Sequence, residues 1–245
     1  MSRQSSAPFA IGSAQVAYAD RALSVERSSM ISYLPLWETA GAVADDLSHN
    51  GFDGASVGVT LGEQGIGDGR TSYGFDGATD YVNWYSAGLA AAFNGAEGTL
   101  GPIWLKFPAA AWTDGLFRTV VRLTVDGNND IYIRKHGTNG LVQFVYAAGG
   151  VFENRSPSLG SPTSWFPVTM TWSKTGDVVN MYGIGGALLD SSTVLGTWSG
   201  ALTLNASQIG AHSQAPIDVF SGNIQHVPLR NKALTAAQIA YLSKP

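Results

Sequence analysis

The stretch WFPVTMTWSKTGDVVNMYG, Trp165 to Gly183, sets two alternating apolar runs on either side of a polar turn. In the first run Val168, Met170 and Trp172 share one face, while Thr169, Thr171 and Ser173 share the other, the period of a strand buried on one side. Lys174 to Asp177 reverses the chain and Val178 to Tyr182 runs back, which predicts a hairpin inside a β-sandwich.

The flanking sequence keeps the same character. Upstream, Leu116 to Val125 alternates Phe117, Thr119, Val121, Leu123 and Val125 against Arg118, Val120, Arg122 and Thr124, a strand with one wet side. The turn DGNND then leads to IYIRK and LVQFVYAAGG, a meander of strands. Before these come ISYLPLWE from Ile31, the loop DDLSHNGFDG from Asp45, VGVTL from Val57, the glycine-rich link GEQGIGDGR, SYGFDGATDYVNW from Ser72 and TLGPIWLKF from Thr99. Asn50-Gly51, Asp53-Gly54 and Asp76-Gly77 are turn pairs. Downstream, Ala201 to Ile209 and Gly222 to Leu229 supply the last two strands. The run LTAAQIAYL is the one helix expected, with Thr235 and Gln238 as a capping box and Leu234 and Ile239 as a hydrophobic staple. No repeat of 20 to 50 residues is present.

Composition bounds the function. Only 13% of the 245 residues are charged, the chain has no cysteine, and the net charge is −4. Average chains carry about 25% charged residues, so this surface is rich in Ser, Thr, Asn, Gly and Ala and suits packing against neighbours. The acidic balance, with no basic cluster interleaved with aromatics, excludes nucleic acid as a partner. No apolar run of about 18 residues exists to cross a membrane. The amino-terminal MSRQSSAPFAIGSAQ has no apolar core of a secretory signal, so synthesis in the cytoplasm is expected. Residues 1–28, rich in Ser and Ala with Arg3, Arg21 and Arg27, are expected to be an arm docking on a neighbouring subunit, and residues 29–245 a single sandwich domain.

Taken in order, FDGATDYVN, W-x-x-V-T-x-T-W with its returning strand, IGA, F-x-G-x-I and ALTAAQIAYL resemble the laminin-G-like jelly rolls of the concanavalin A-like lectin/glucanase superfamily, over residues 31–242. The resemblance implies an all-β fold of two antiparallel sheets of about six or seven strands each, one concave, closed by a short C-terminal helix. The strings VTLGEQGIGDGR and FDGATDYVNWYSA look most like the laminin-G-like proteins of tailed phages. The acidic pair that usually follows F-x-G-x-I in the family is replaced by Gln225 and His226. This fold hosts glycosidases, lectins and structural modules alike, so function has to come from the site.

A retaining glycosidase needs two carboxylates about 5 to 5.5 Å apart, presented in the superfamily's glucanases as E-x-D-x-E. The glutamates here, Glu26, Glu38, Glu63, Glu97 and Glu153, have no such neighbours. His49, His136, His212 and His226 lack metal-ligand spacing and read as loop or surface residues. No G-x-S-x-G elbow marks a serine nucleophile. Asp126, Asn128 and Asp130 alternate like calcium ligands, but a hairpin turn explains them better. Asp45, Asp46, Asn50 and Asp53 form the remaining calcium candidate, against an ordinary Asx-turn loop. For sugar stacking the loop tryptophans Trp112, Trp165 and Trp198 are the candidates, against packing at the sandwich rim, whereas Trp104 and Trp172 read as core. Asn154 and Asn205 begin glycosylation sequons.

The expectation is a non-enzymatic structural or recognition protein of a virus particle, on capsid or tail. Its partners would be other virion proteins, copies of itself or host surface glycans, with no cofactor required. The alternatives are a free lectin that uses calcium and, last, a glycoside hydrolase.

Overall fold

The hairpin is present: Phe166–Ser173 pairs antiparallel with Val178–Tyr182, Met170 opposite Met181 and Trp172 opposite Val179. A computed structural model describes residues 17–204 and 207–245. In chain order its elements are α1 (Tyr18–Ser24), β1 (Met30–Leu34), β2 (Val43–Ala44), β3 (Gly54–Val57), β4 (Thr60–Gln64), β5 (Thr71–Asp76), β6 (Tyr81–Asn83) and α2 (Ala87–Ala92). There follow β7 (Glu97–Lys106), α3 (Ala109–Thr113), β8 (Arg118–Asp126), β9 (Asn129–Lys135), β10 (Val142–Ala148), β11 (Val151–Arg155) and β12 (Phe166–Ser173). The chain closes with β13 (Val178–Tyr182), β14 (Leu188–Ser192), β15 (Gln208–Ile209), β16 (Ser221–Gln225), β17 (Val227–Arg230) and α4 (Ala236–Leu242).

These form two antiparallel sheets. The first runs β14-β13-β12-β7-β16-β5-β4, with β17 continuing β16 along β7 and carrying β1 at its side. The second runs β11-β10-β9-β8-β15-β6-β3-β2. The counts of nine and eight strands exceed the six or seven expected. One reason is visible at His226, where a left-handed backbone (φ 58) breaks one long strand into β16 and β17. Between the sheets Leu100, Ile103, Leu105, Val168, Met170, Trp172 and Ile224 meet Val121, Leu123, Ile131, Ile133, Phe144 and Tyr146. Each such side chain contributes about 1.5–3 kcal/mol on burial. At one side the edges of the two sheets are tied together, since the Arg155 guanidinium donates to Ser192 Oγ at 2.6 Å and Ser192 Oγ donates to Glu153.

A second apolar cluster covers part of the outer face of the first sheet. Tyr18, Ala19 and Ala22 of α1 and Ile239 and Leu242 of α4 pack there with Met30, Tyr33 and Trp104. Trp104 is buried, but in this outer layer and not between the sheets. The hairpin strand is therefore covered on both sides: Thr169 and Thr171 are 1% and 2% exposed, where a wet face was expected. Likewise the alternation read over Leu116–Val125 slips at Val120, because the pairing of β8 with β9 shifts register between Thr119 and Val121. Val120 and Val121 are both buried as a result.

Part of the segment expected to reach a neighbour, Tyr18–Ser24, is thus a helix on its own sandwich, while residues 1–16 of that arm lie outside the described residues. Arg230 holds it. Its fully buried guanidinium donates to Ala22 O at 2.7 Å and lies 3.4 Å from both Val25 O and Gly101 O, so it satisfies carbonyls at the end of α1. Burial pulls its pKa down to about 10, still charged at neutral pH. The C-terminal helix is as expected, with Thr235 and Gln238 forming both arms of the capping box. The helices α1, α2 and α3 have five to seven residues and no legible period; tertiary packing, not propensity, supports pieces so short.

His226, read as a loop or surface residue, is fully buried. Its Nδ1 lies 2.7 Å from Tyr33 Oη and its Nε2 3.0 Å from Asp68 Oδ2, and the Tyr18 ring stacks on it at 4.2 Å. Asp68 as a carboxylate only accepts, so Nε2 carries the proton and Tyr33 donates to Nδ1. Burial lowers the His226 pKa, against Asp68. Burial works against the Asp68 charge too, but hydrogen bonds from His226, the Arg70 N–H and Gln225 hold its carboxyl below the ordinary range.

Two outcomes follow for stability. Arg230→Met should cost about 2–4 kcal/mol in urea unfolding and open Ala17–Ser29 to proteolysis before the sandwich itself unfolds, because buried carbonyls lose their donor. Both depressed pKa values make stability fall with acid, first below the ordinary histidine pKa as His226 resists its proton and then through the Asp68 value. Asp68→Asn should cost about 1–3 kcal/mol at pH 7, and its gap from the wild type should narrow only as the pH falls below the ordinary carboxylate range, where Asp68 takes up its proton in the folded state.

Candidate functional site

Along a strand alternate residues face opposite ways, so the register of the first sheet decides what its outer face offers. One row is Thr60, Gly74, Asn223 and Lys106, neighbours in β4, β5, β16 and β7. The next residues facing the same way are Ser72, Gln225 and Trp104 on one side and Asp76 and Ser221 on the other. The Trp104 side is roofed by α1 and by the glycine-rich link, whose Ile66 N–H donates to Gln225 Oε1 at 2.8 Å. Gly65 is required there, since a Cβ would stand 2.2 Å from Arg70 O. The other side is open. It forms a groove with a cavity volume of about 400 Å³, bounded by Phe107, Pro108 and Thr163 beyond the row.

Gly74 leaves a slot in this row. Strands lie about 4.8 Å apart, so Thr60 and Asn223 stand roughly 10 Å from one another across a residue without a side chain. A Cβ on Gly74 would meet Glu63 Cγ at 3.2 Å, Thr60 Cβ at 3.4 Å and Asn223 Nδ2 at 3.6 Å, which shows what lines the slot. Among the described residues Thr60, Glu63, Lys106, Thr163, Ser221 and Asn223 make no side-chain hydrogen bond or ion pair. The groove therefore presents hydroxyl, amide, ammonium and carboxylate groups with their bonding capacity unspent.

Asp76 is different. Its Oδ1 accepts from Ala78 N at 2.7 Å and Thr79 N at 2.9 Å, and Oδ2 accepts from Thr79 Oγ1 at 3.1 Å. Burial opposes its charge, but these turn donors hold its carboxyl below the ordinary range. Glu63, the other acid here, is exposed and lacks the apolar enclosure that makes a carboxyl a general acid. Asp76 staples the Asp76–Asp80 turn and is not poised to move protons.

The residues singled out from the sequence do not converge on this groove. Trp112, on α3, is 1% exposed, packs on Phe107 and donates from Nε1 to Pro162 O at 2.8 Å, leaving no face for a sugar. Trp165 is half-buried against the outer cluster. Trp198 is half-buried too, edge-on to Phe93 at 5.3 Å and seated over Gly95. The calcium candidates form a loop that binds itself. Asp46 accepts from Tyr33 N, Ser48 N, Ser48 Oγ and Phe52 N at 2.7–2.9 Å, Asp53 Oδ1 accepts from Asp46 N, and Asn50 donates to Ile31 O. The Asp45 N–H is held by Glu38. Among the described residues no group of three His, Asp or Glu is placed to hold a metal. Asp126 likewise receives Asn128 N and Asn129 N and closes the β8–β9 hairpin. Asn154 is on the edge strand β11, and Asn205 lies outside the described residues. The groove residues had one signal in sequence, the polar side of F-S-G-N-I and W-L-K-F, which alternation alone could not join.

Similar folds are found among carbohydrate-active proteins and toxins. Domain 4 of AbnA, an extracellular arabinanase from Geobacillus stearothermophilus, solved in complex with arabinotriose, superposes with a TM-score of 0.62 at 15% identity, over 88% of this chain and 98% of that one. Trypanosoma rangeli sialidase in complex with sialic acid gives 0.62 at 15% identity over 88% of this chain, which spans only 32% of the sialidase. The receptor binding domain of botulinum neurotoxin C/D mosaic serotype gives 0.62 at 13% identity, over 87% of this chain and 51% of that one. These likenesses show the fold alone. No helix among the described residues is long and apolar enough to cross a membrane. No curated protein sequence matches the chain. A family model described as the concanavalin A-like lectin/glucanases superfamily matches residues 76–240. With two antiparallel sheets in the expected order and this match across more than half of its length, the chain belongs to the Laminin_G_3 family of that superfamily.

Proposed function

We propose that this chain is a non-enzymatic recognition protein that binds glycans in the groove of the first sheet. The observation that carries the reading is the row Thr60, Gly74, Asn223 and Lys106: unspent polar groups on a rigid four-strand floor, brought close together where Gly74 carries no side chain. Groups fixed by strand pairing lose little entropy when a ligand arrives. The arabinotriose complex of the arabinanase domain supports a carbohydrate as the ligand class. Lys106, Asn223, Ser221 and Thr60 need no calcium to meet sugar hydroxyls.

The non-enzymatic part rests on the acids. Of the two carboxylates in the groove, Asp76 is tied into its turn with a lowered pKa and Glu63 stands in solvent, whereas hydrolysis needs one raised acid facing one base or nucleophile. The setting we propose is the exterior of a virus particle. The low charge of 13% and the phage-like strings of the Val59–Ala87 region support it.

On a glycan array the wild type should bind at least one oligosaccharide with millimolar to micromolar affinity. Asn223→Ala and Lys106→Ala should each weaken it about tenfold, and Gly74→Val, whose side chain pushes into Glu63 and Thr60, should abolish it, with unfolding midpoints recorded to show that the variant is folded. An array without hits, or binding unaffected by all three changes, sinks the groove reading. Reducing ends released from the bound polysaccharide would disprove the non-enzymatic part. Antibody probing of purified particles should detect the protein in the virion fraction, and its absence there would remove the setting.

A further inference from the structure

Among the described residues, the lysines and arginines that are partly or wholly buried have their charge matched, with one exception. Arg118 and Lys135 hold Asp114 at 2.8 Å, Arg122 holds Asp130 at 2.8 Å, Arg134 holds Asp218 at 3.3 Å and Arg155 holds Glu153 at 3.4 Å. Three more donate to main-chain carbonyls. Lys106 is the exception. It is half-buried on β7, and among the described residues its ammonium meets no carboxylate, carbonyl or aromatic ring.

This unmatched cation lines the open groove of about 400 Å³. Strand register sets Lys106 beside Asn223. Gly222, at φ 131, lets β16 close on β7 here, since a Cβ on it would stand 2.2 Å from Lys106 O. Ser221 and Thr163 complete this half of the groove. It offers an ammonium, an amide N–H and two hydroxyls as donors, and no carboxylate. The acids belong to the other half. The strands that carry Asp76 and Glu63 stand two and three places from β7, about 10 and 14 Å away, a Debye length or more at ordinary salt.

We propose that the ligand of the groove is an acidic sugar, whose carboxylate or sulfate ester is bound by Lys106 with Asn223 and Ser221 beside it. This rests on the groove being a glycan site and adds the charge of the glycan. A half-buried ammonium loses water when a sugar ring covers it. A neutral hydroxyl returns part of that loss, whereas an anionic oxygen returns a charge-assisted hydrogen bond, roughly twice as strong as a neutral one. With the acidic group on the β7–β16 half, Thr60 and Glu63 across the Gly74 slot are left for the hydroxyls of the neighbouring sugar.

The test titrates the whole chain with matched pairs of sugars while amide resonances are followed by NMR: methyl glucuronide against methyl glucoside, methyl galacturonide against methyl galactoside, and galactose 6-sulfate against galactose. In at least one pair the acidic member should shift amides at Lys106, Ser221 and Asn223 and bind at least about tenfold tighter than its neutral partner. Which pair does so tells carboxylate from sulfate. The advantage should shrink as salt rises from about 0.01 M to about 0.5 M. Lys106→Gln should bring the acidic sugar down to the affinity of its neutral partner, and Lys106→Arg should keep most of the advantage, with unfolding midpoints showing both variants folded. No advantage in any pair overturns the proposal, and so does an advantage that survives Lys106→Gln. Neutral sugars that shift the same amides as strongly as acidic ones remove the acidic ligand but leave the groove a glycan site, whereas a glycan array without hits removes the site itself.

Discussion

A histidine in the left-handed backbone region, in the middle of a long antiparallel strand, is the constraint around which the first sheet is arranged. A non-glycine residue there costs about 1–2 kcal/mol, and at His226 the surroundings over-determine it. Its N–H is held by Pro35 O at 3.0 Å, and its ring is bonded on both nitrogens and stacked beneath Tyr18. The break lets one strand, β7, pair with β17 through Leu100 and with β16 through Trp104. It coincides with a division of the outer face into an apolar half under two helices and an open polar half.

That division explains why the two halves differ in chemistry. Under α1 and α4 each polar group has to find a partner, and Arg230 and Asp68 do so through carbonyls, His226 and Gln225. In the groove the same strands continue without a roof, and Asn223 and Lys106 leave their bonds to whatever enters. The second sheet follows a third rule, with charges cancelled pairwise beneath a line of rings. Core packing and the unspent polar groups of the groove thus draw on alternate residues of the same strands, such as Leu105 inward and Lys106 outward.

Several features were legible residue by residue. The return of the Val168–Trp172 strand through a polar turn and the Thr235–Gln238 box each describe interactions within a few residues, and the hairpin and the box are found as read. Where reading failed, the missing information was long-range. Thr169 looked wet because nothing local says that the outer face of its strand is covered in the fold. Trp112 looked like a loop platform because nothing local says that Phe107 buries it. The Asp46 loop looked like a cation cage, yet three of the four donors to Asp46 are backbone N–H groups, which every sequence has and none displays.

The sequence by itself determined the class of fold: a period of two, turn pairs at the reversals and one capped helix suffice, because strand and cap energetics are local. Only the tertiary structure decided which polar and aromatic side chains share a surface. Thr60, Gly74, Lys106 and Asn223 become one surface only through strand pairing, and His136, Phe117, Arg134, Tyr132 and His212 become one ladder only when a loop returns across a sheet. Cross-strand neighbours about 4.8 Å apart in space can be more than a hundred residues apart in the chain, and no periodicity records that distance.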